Sequence, residues 1–221
     1  MACPRLIAFV MVTAGFSAGP CDSLGHDLMS QRERLVQQVA ALGQLDPLEP
    51  GAIARTLGAT LGRPRQVTKR RAEYALTGSE FLAEGTIVAG PGWVTVTLQP
   101  APEMGLLLRD VEPALLDCPY GSQPQTGHHG EGPVVRAIHH LFAVPAGMIL
   151  VEVPPTDGPE SYEKALRSAY EEEVDNAATP GAARHRITTI SVTTNVRPGL
   201  DDAPTLRAFR DWATRASRPE E

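Results

Sequence analysis

Four of the six histidines of this chain fall within one short stretch, TGHHGEGPVVRAIHH, at residues 126–140. Imidazole nitrogens and carboxylate oxygens are donors that zinc takes in proteins. His128, His129 and Glu131 lie on a stretch rich in glycine, and His140 follows on a predicted strand. These four residues therefore form a candidate metal site, with zinc as its ion.

The spacing of the histidines also argues against such a site. Neighbouring residues of a strand point to opposite faces, so His139 and His140 cannot share one site without a bulge. One of the two is therefore expected in or near the core. The chain has no H-E-x-x-H motif and no paired C-x-x-C motif. A periplasmic metal-binding protein is therefore an alternative interpretation. The leading interpretation is a protein that has no cofactor.

The first twenty residues have the order of a secretory signal peptide. Arg5 precedes the apolar run Leu6–Ala14, and small residues follow it. The run is much shorter than the roughly 20 residues that span a bilayer, and no later segment is long and apolar enough to be a transmembrane anchor. We therefore expect cleavage of residues 1–20, one domain over residues 21–221, and a periplasmic or extracellular location.

Cleavage would leave two cysteines, Cys21 and Cys118. In an oxidising compartment they are a candidate disulfide. Cys21 would instead carry a lipid anchor if the chain were a lipoprotein, although Pro20 stands where such a cleavage site usually has Gly, Ala or Ser. Cys118 by itself would be a small buried residue. The sequence leaves these interpretations open.

The charge balance argues against nucleic acid as a partner. The chain has 20 basic and 26 acidic residues, a net charge of −6. Removal of Arg5 with the signal peptide would make it −7. Catalysis also has little support, because the one G-x-S-x-G stretch, Gly15–Gly19, lies in the signal peptide. Cys118 has no basic neighbour that would activate it. A hydrolase with an unrecognised site is a second alternative.

Hydrophobic periodicity predicts helices at both ends and strands between them. Ser30 and Glu33 begin a helix that Gly43 ends. A shorter helix from about Ala52 to near Gly58 or Gly62 would complete an αα-hairpin. About six strands are predicted, over residues 71–76, 81–88, 93–98, 135–144, 148–153 and 187–194.

Other segments have weaker patterns. Further helices are predicted over about residues 110–116, after Pro159, and from Asp202 onward, and residues 119–133 are predicted to be a loop. The predicted fold class is α+β, with the N-terminal αα-hairpin and the C-terminal helix packed on an antiparallel sheet of about six strands.

Two charged clusters suggest a partner. The first comprises Arg63, Arg65, Lys69, Arg70 and Arg71, and edge strands use such charges to avoid pairing with other chains. The second comprises Glu171, Glu172, Glu173 and Asp175 at the end of the helix predicted after Pro159, where the helix dipole disfavours anions. An acidic helix end suits a basic protein partner. The leading hypothesis is an exported, non-enzymatic protein-binding module that resembles an inhibitor or immunity protein in its mode of action.

Overall fold

The computed structural model describes residues 22–46, 48–68, 70–111, 114–129, 132–154, 186–194, 200, 203–208 and 211. Within these residues two α-helices come first, α1 (Asp22–Leu42) and α2 (Pro50–Thr56). Nine strands follow: β1 (Thr60–Leu61), β2 (Gln66–Thr68), β3 (Arg71–Thr77), β4 (Leu82–Gly90), β5 (Trp93–Pro100), β6 (Tyr120–His129), β7 (Gly132–Val144), β8 (Gly147–Val153) and β9 (Thr189–Thr194). Two 3₁₀ helices, η1 (Pro102–Met104) and η2 (Leu108–Val111), lie between β5 and β6.

The strands form one antiparallel sheet in the order β1-β3-β4-β5-β9-β8-β7-β6, and β2 pairs with β3. The strands β3, β4 and β5 are neighbours both in sequence and in the sheet, as are β6, β7 and β8. The last strand, β9, lies between β5 and β8 and joins these two groups into one sheet.

One face of this sheet carries the hydrophobic core. The strand registers align one fully buried residue from each of five strands in a row, Ile87, Val96, Val192, Ile149 and Phe142. The opposite face is richer in hydroxyl side chains, and Thr86, Thr97 and Ser191 are half-buried neighbours there. Alternation along each strand separates the two faces.

Helix α1 contributes to the same core. It begins earlier than the predicted start at Ser30, and its predicted apolar stripe of Leu35, Val39 and Leu42 is buried. The backbone N–H of Ala146 donates to the carbonyl of Gly43 at 2.9 Å. This bond ties the end of α1 to the turn between β7 and β8.

Two parts of the predicted architecture do not match the structure. Among the described residues the sheet has nine strands and not about six, because β1, β2 and β6 were not predicted. β1 and β2 have two and three residues, which is too few to show a period of two. The predicted αα-hairpin is not matched either: α1 has 21 residues, α2 has seven, and α1 also contacts η1 and η2 while α2 contacts β1.

The loop predicted over residues 119–133 is wrong, because β6 occupies most of it. The segment SQPQTG has few residues that favour strands, and its extended backbone is held by pairing with β7 from Tyr120↔Phe142 to His129↔Gly132. Pro124 is tolerated because β6 has only β7 beside it among the described strands. Hydrogen bonding to β7 therefore outweighs the low intrinsic strand propensity of the β6 residues.

The helix predicted over residues 110–116 is also wrong. Among the described residues, η2 ends at Val111, and a turn follows in which the N–H of Cys118 donates to the carbonyl of Leu115 at 3.1 Å. The helix predicted after Pro159 lies outside the described residues, and of the C-terminal helix only residues 206–208 and 211 are described, in helical conformation. No described helix has both the length and the apolar character needed to cross a bilayer.

Candidate functional site

His140 lies in the core. It belongs to β7, its ring is fully buried, and its Nδ1 lies 2.6 Å from the hydroxyl of Tyr120 on β6. The two rings are stacked at a centroid distance of 5.9 Å, and Tyr120 also contacts Phe142. The Nε2 of His140 is buried and has no hydrogen-bond partner among the described residues.

Burial determines the protonation of this imidazole. Loss of hydration lowers the pKa of His140 to about 3, and the neighbouring His139 contributes in the same direction. His140 is therefore neutral at physiological pH, and its ring is out of reach of a substrate in solution.

His139 points to the opposite face, in agreement with the predicted alternation. Its Nε2 lies 3.3 Å from a carboxylate oxygen of Glu152 on β8. The hydroxyls of Thr188 and Thr189 donate to the other oxygen of that carboxylate at 3.1 and 3.4 Å. These hydrogen bonds connect β7, β8 and residues 188–189 on this face of the sheet.

The strand register separates His140 from the other two histidines predicted as metal ligands. His128 pairs with Pro133 and His129 with Gly132, near the β6–β7 turn, whereas His140 pairs with Ser122. Ser122 and His128 are six positions apart along β6, which is about 20 Å at strand geometry. Glu131 lies outside the described residues. A zinc site at the turn would therefore have to be formed by His128, His129 and Glu131 without His140.

His128 and His129 end β6 in a two-stranded arm. Pairing between β7 and β8 ends at Ile138↔Val153, whereas β6 and β7 stay paired to His129↔Gly132. The arm, residues 125–129 and 132–137, therefore extends beyond β8. Among the described residues, no group of three or more His, Cys, Asp or Glu side chains is placed to hold a metal ion.

Cys118 and the remaining predicted site residues give little further chemistry. Burial, followed by the charge of Asp117, raises the pKa of the Cys118 thiol, so less of the reactive thiolate is present at neutral pH. Cys21, its predicted disulfide partner, lies outside the described residues. So does the predicted partner-binding cluster, Glu171, Glu172 and Glu173.

Sequence reasoning missed a cleft around Trp93, at the far end of β7 from the arm. Three connections line this cleft. They are the α1–α2 connection, the β4–β5 turn with Trp93 directly after it, and the β7–β8 turn. Their lining residues include Leu45, Asp46, Leu48, Trp93, Pro145 and Ala146. Its volume is about 480 Å³. The backbone bond from Ala146 to Gly43 holds the first of these connections beside the β7–β8 turn.

The indole of Trp93 has a defined position in this cleft. It lies so close to Gly90 that a β-carbon there would collide with Nε1 and Cε2 of the ring. The side chain nevertheless remains 37% exposed. The sequence signal was present in AGPGW, where a glycine-rich turn leads directly into a tryptophan.

No protein-family model matches this chain, and comparison with curated proteins and with solved structures found no similar protein.

Proposed function

We propose that this protein is an exported, non-enzymatic binding module that recognises a basic protein through the Trp93 cleft, in the manner of an inhibitor or immunity protein. The observation that carries the proposal is an exposed tryptophan held in place against Gly90. Tryptophan is among the residues most enriched in the centres of protein interfaces. A side chain that is ordered before binding loses less entropy when the partner arrives.

The charges near the cleft indicate the chemistry of the partner. Asp46 is exposed on the cleft, and no described residue forms a salt bridge with it. A Lys or Arg side chain of the partner can lie over the indole of Trp93 and pair with this carboxylate. The net charge of −6 attracts a basic partner at longer range. The cluster Glu171, Glu172 and Glu173 belongs to the same proposal.

The protonation of two side chains favours binding over catalysis. The imidazole of His140 is buried and neutral, and the thiol of Cys118 has a raised pKa, so neither is prepared as a base or nucleophile. We also propose that the protein is exported, that it is a single domain, and that a C-terminal helix continues from the buried Leu206. These parts of the proposal rest on the sequence.

Site-specific photo-crosslinking tests the proposal. A benzophenone amino acid is placed at Pro145, an exposed residue of the cleft, or at Val67, which is 68% exposed and does not line the cleft. The exported fraction of the source cells is the target. We expect an adduct at position 145 that is absent at position 67 and becomes weaker as salt is added.

Competition makes the test specific for the cleft. An excess of unlabelled wild-type protein should abolish the adduct, whereas Trp93→Ala and Asp46→Asn should compete poorly. The Asp46→Asn variant keeps the size of the side chain, so a folding defect would not explain its result. Equal competition by Trp93→Ala, or the same adducts at both positions, would contradict the proposal.

A further inference from the structure

A second pocket lies where β5 leads into η1 and where residues 186–188 pass beside residues 105–107. Its volume is about 360 Å³, within the roughly 300–1,000 Å³ typical of small-molecule sites. Ala101, Leu106 and Ile187 line it and are themselves almost fully buried. The floor of this pocket is therefore apolar and firmly packed.

Arg186 is the cationic residue of the pocket. Its backbone forms a bridge with Leu107, and the next residue, Ile187, donates its N–H to the carbonyl of Leu106 at 2.8 Å. The Nη1 of Arg186 donates to the carbonyl of Pro102 at 3.4 Å, which is a long hydrogen bond. The backbone contacts fix the residue beside the pocket. The single long bond of the guanidinium leaves most of its donors available.

A second guanidinium approaches the same point. A β-carbon at Gly105 would lie 3.3 Å from Nη2 of Arg32 and 3.4 Å from Cζ of Arg186. Gly105 also has a φ of 53°, in the left-handed region that glycine adopts without strain. The absence of a side chain at Gly105 allows the two cations to flank one turn of the backbone.

The negative charge nearby balances only one of these cations. Arg32 lies 3.6 Å from Asp110, and its Nε donates to the carbonyl of Met104 at 2.6 Å. Within the described part of the chain, no carboxylate lies within salt-bridge distance of Arg186. One positive charge therefore remains next to an apolar pocket.

We propose that this pocket binds a small molecule that has one carboxylate and a short aliphatic chain. The carboxylate accepts two parallel hydrogen bonds from the guanidinium of Arg186, a geometry that lysine does not reproduce. The chain covers the apolar floor. The hydroxyl of Thr188, which also lines the pocket, is already bonded to Glu152. This site is separate from the Trp93 cleft and does not depend on the proposed protein partner.

Isothermal titration of the full chain with octanoate tests the inference. We expect saturable one-to-one binding, with octan-1-ol and octylamine at least about tenfold weaker because they lack the anion that Arg186 pairs with. Arg186→Gln should weaken octanoate at least about tenfold, and Arg186→Lys should fall between it and the wild type. Arg55→Gln, which removes an exposed arginine from α2, is the matched control and should bind as the wild type does.

A second variant separates binding from folding. Ala83 is an exposed residue of the pocket wall, so Ala83→Phe should fill the opening and abolish binding without changing the melting temperature. The absence of saturable octanoate binding would overturn the inference. Equal binding of octanoate and octan-1-ol, or an affinity unchanged by Arg186→Gln, would overturn it as well.

Discussion

Acid should destabilise this protein through His140. The pKa of a free histidine is 6.5, and burial lowers that of His140 to about 3 in the fold. Well above pH 6.5 the imidazole is neutral in both states and contributes no pH dependence. Between pH 6.5 and 3 the unfolded chain takes up a proton that the folded chain does not, so stability decreases as the pH falls.

The size of the effect follows from the pKa difference. Each unit corresponds to about 1.4 kcal/mol once the unfolded state is protonated. At pH 5 the loss is therefore about 2 kcal/mol relative to neutral pH, and the full difference approaches about 5 kcal/mol near pH 3. A loss of 2 kcal/mol is a substantial part of the roughly 5–15 kcal/mol that stabilises a typical domain.

The variant His140→Gln isolates this contribution, because glutamine can accept the hydrogen bond of Tyr120 and does not titrate. Urea denaturation at pH 7.5 and at pH 5.0 gives two free energies of unfolding for each protein. We expect the wild type to lose about 2 kcal/mol more than His140→Gln between these pH values. Any pH-independent cost of the glutamine cancels in this difference.

Tyr120→Phe is the matched control. It removes the hydroxyl that lies against Nδ1 of His140 and keeps the imidazole in its buried place. Because burial is the main cause of the shift, this variant should keep the pH dependence of the wild type. If wild type and His140→Gln lost the same stability within about 0.5 kcal/mol, the reasoning would be refuted, since His140 would then titrate as an exposed histidine does.

Three further outcomes are expected. Gly90→Ala should lower the free energy of unfolding by about 1–3 kcal/mol, because the new methyl group collides with Trp93. Gly51→Ala, which meets no neighbouring atom, should raise the free energy of unfolding by up to about 1 kcal/mol. Thermal denaturation compares the two variants. Intact-mass analysis of exported protein should show an N-terminus within Ala18–Cys21; a retained signal segment would contradict export, and a diacylglycerol adduct would replace the disulfide prediction. Exchange of Glu171, Glu172 and Glu173 to glutamine should leave the melting temperature unchanged and weaken the binding of a basic partner in a salt-dependent way. A drop of several degrees in the melting temperature would instead assign these residues a structural role.

The sequence by itself determined the features that depend on local period. Helix α1 was predictable because Leu35, Val39 and Leu42 recur at the spacing of a helical face, and all three are buried. Six strands were predictable from alternation, and so was the separation of His139 from His140, because neighbouring residues of any strand must point to opposite faces.

Only the tertiary structure decided which strands lie side by side. The position of β9 between β5 and β8 depends on strand pairing between segments distant in sequence. Beside β5, the backbone N–H of Val94 also donates to the hydroxyl of Thr194, 100 residues away, and periodicity carries no information on such partners. The strand β6 exists because β7 supplies hydrogen bonds that its own residues do not favour. The Trp93 cleft and the Arg186 pocket are each assembled from distant connections. The indole of Trp93 lies against Gly90, and the guanidinium groups of Arg32 and Arg186 meet beside Gly105, only in the folded chain. The binding properties proposed for both sites depend on these tertiary contacts.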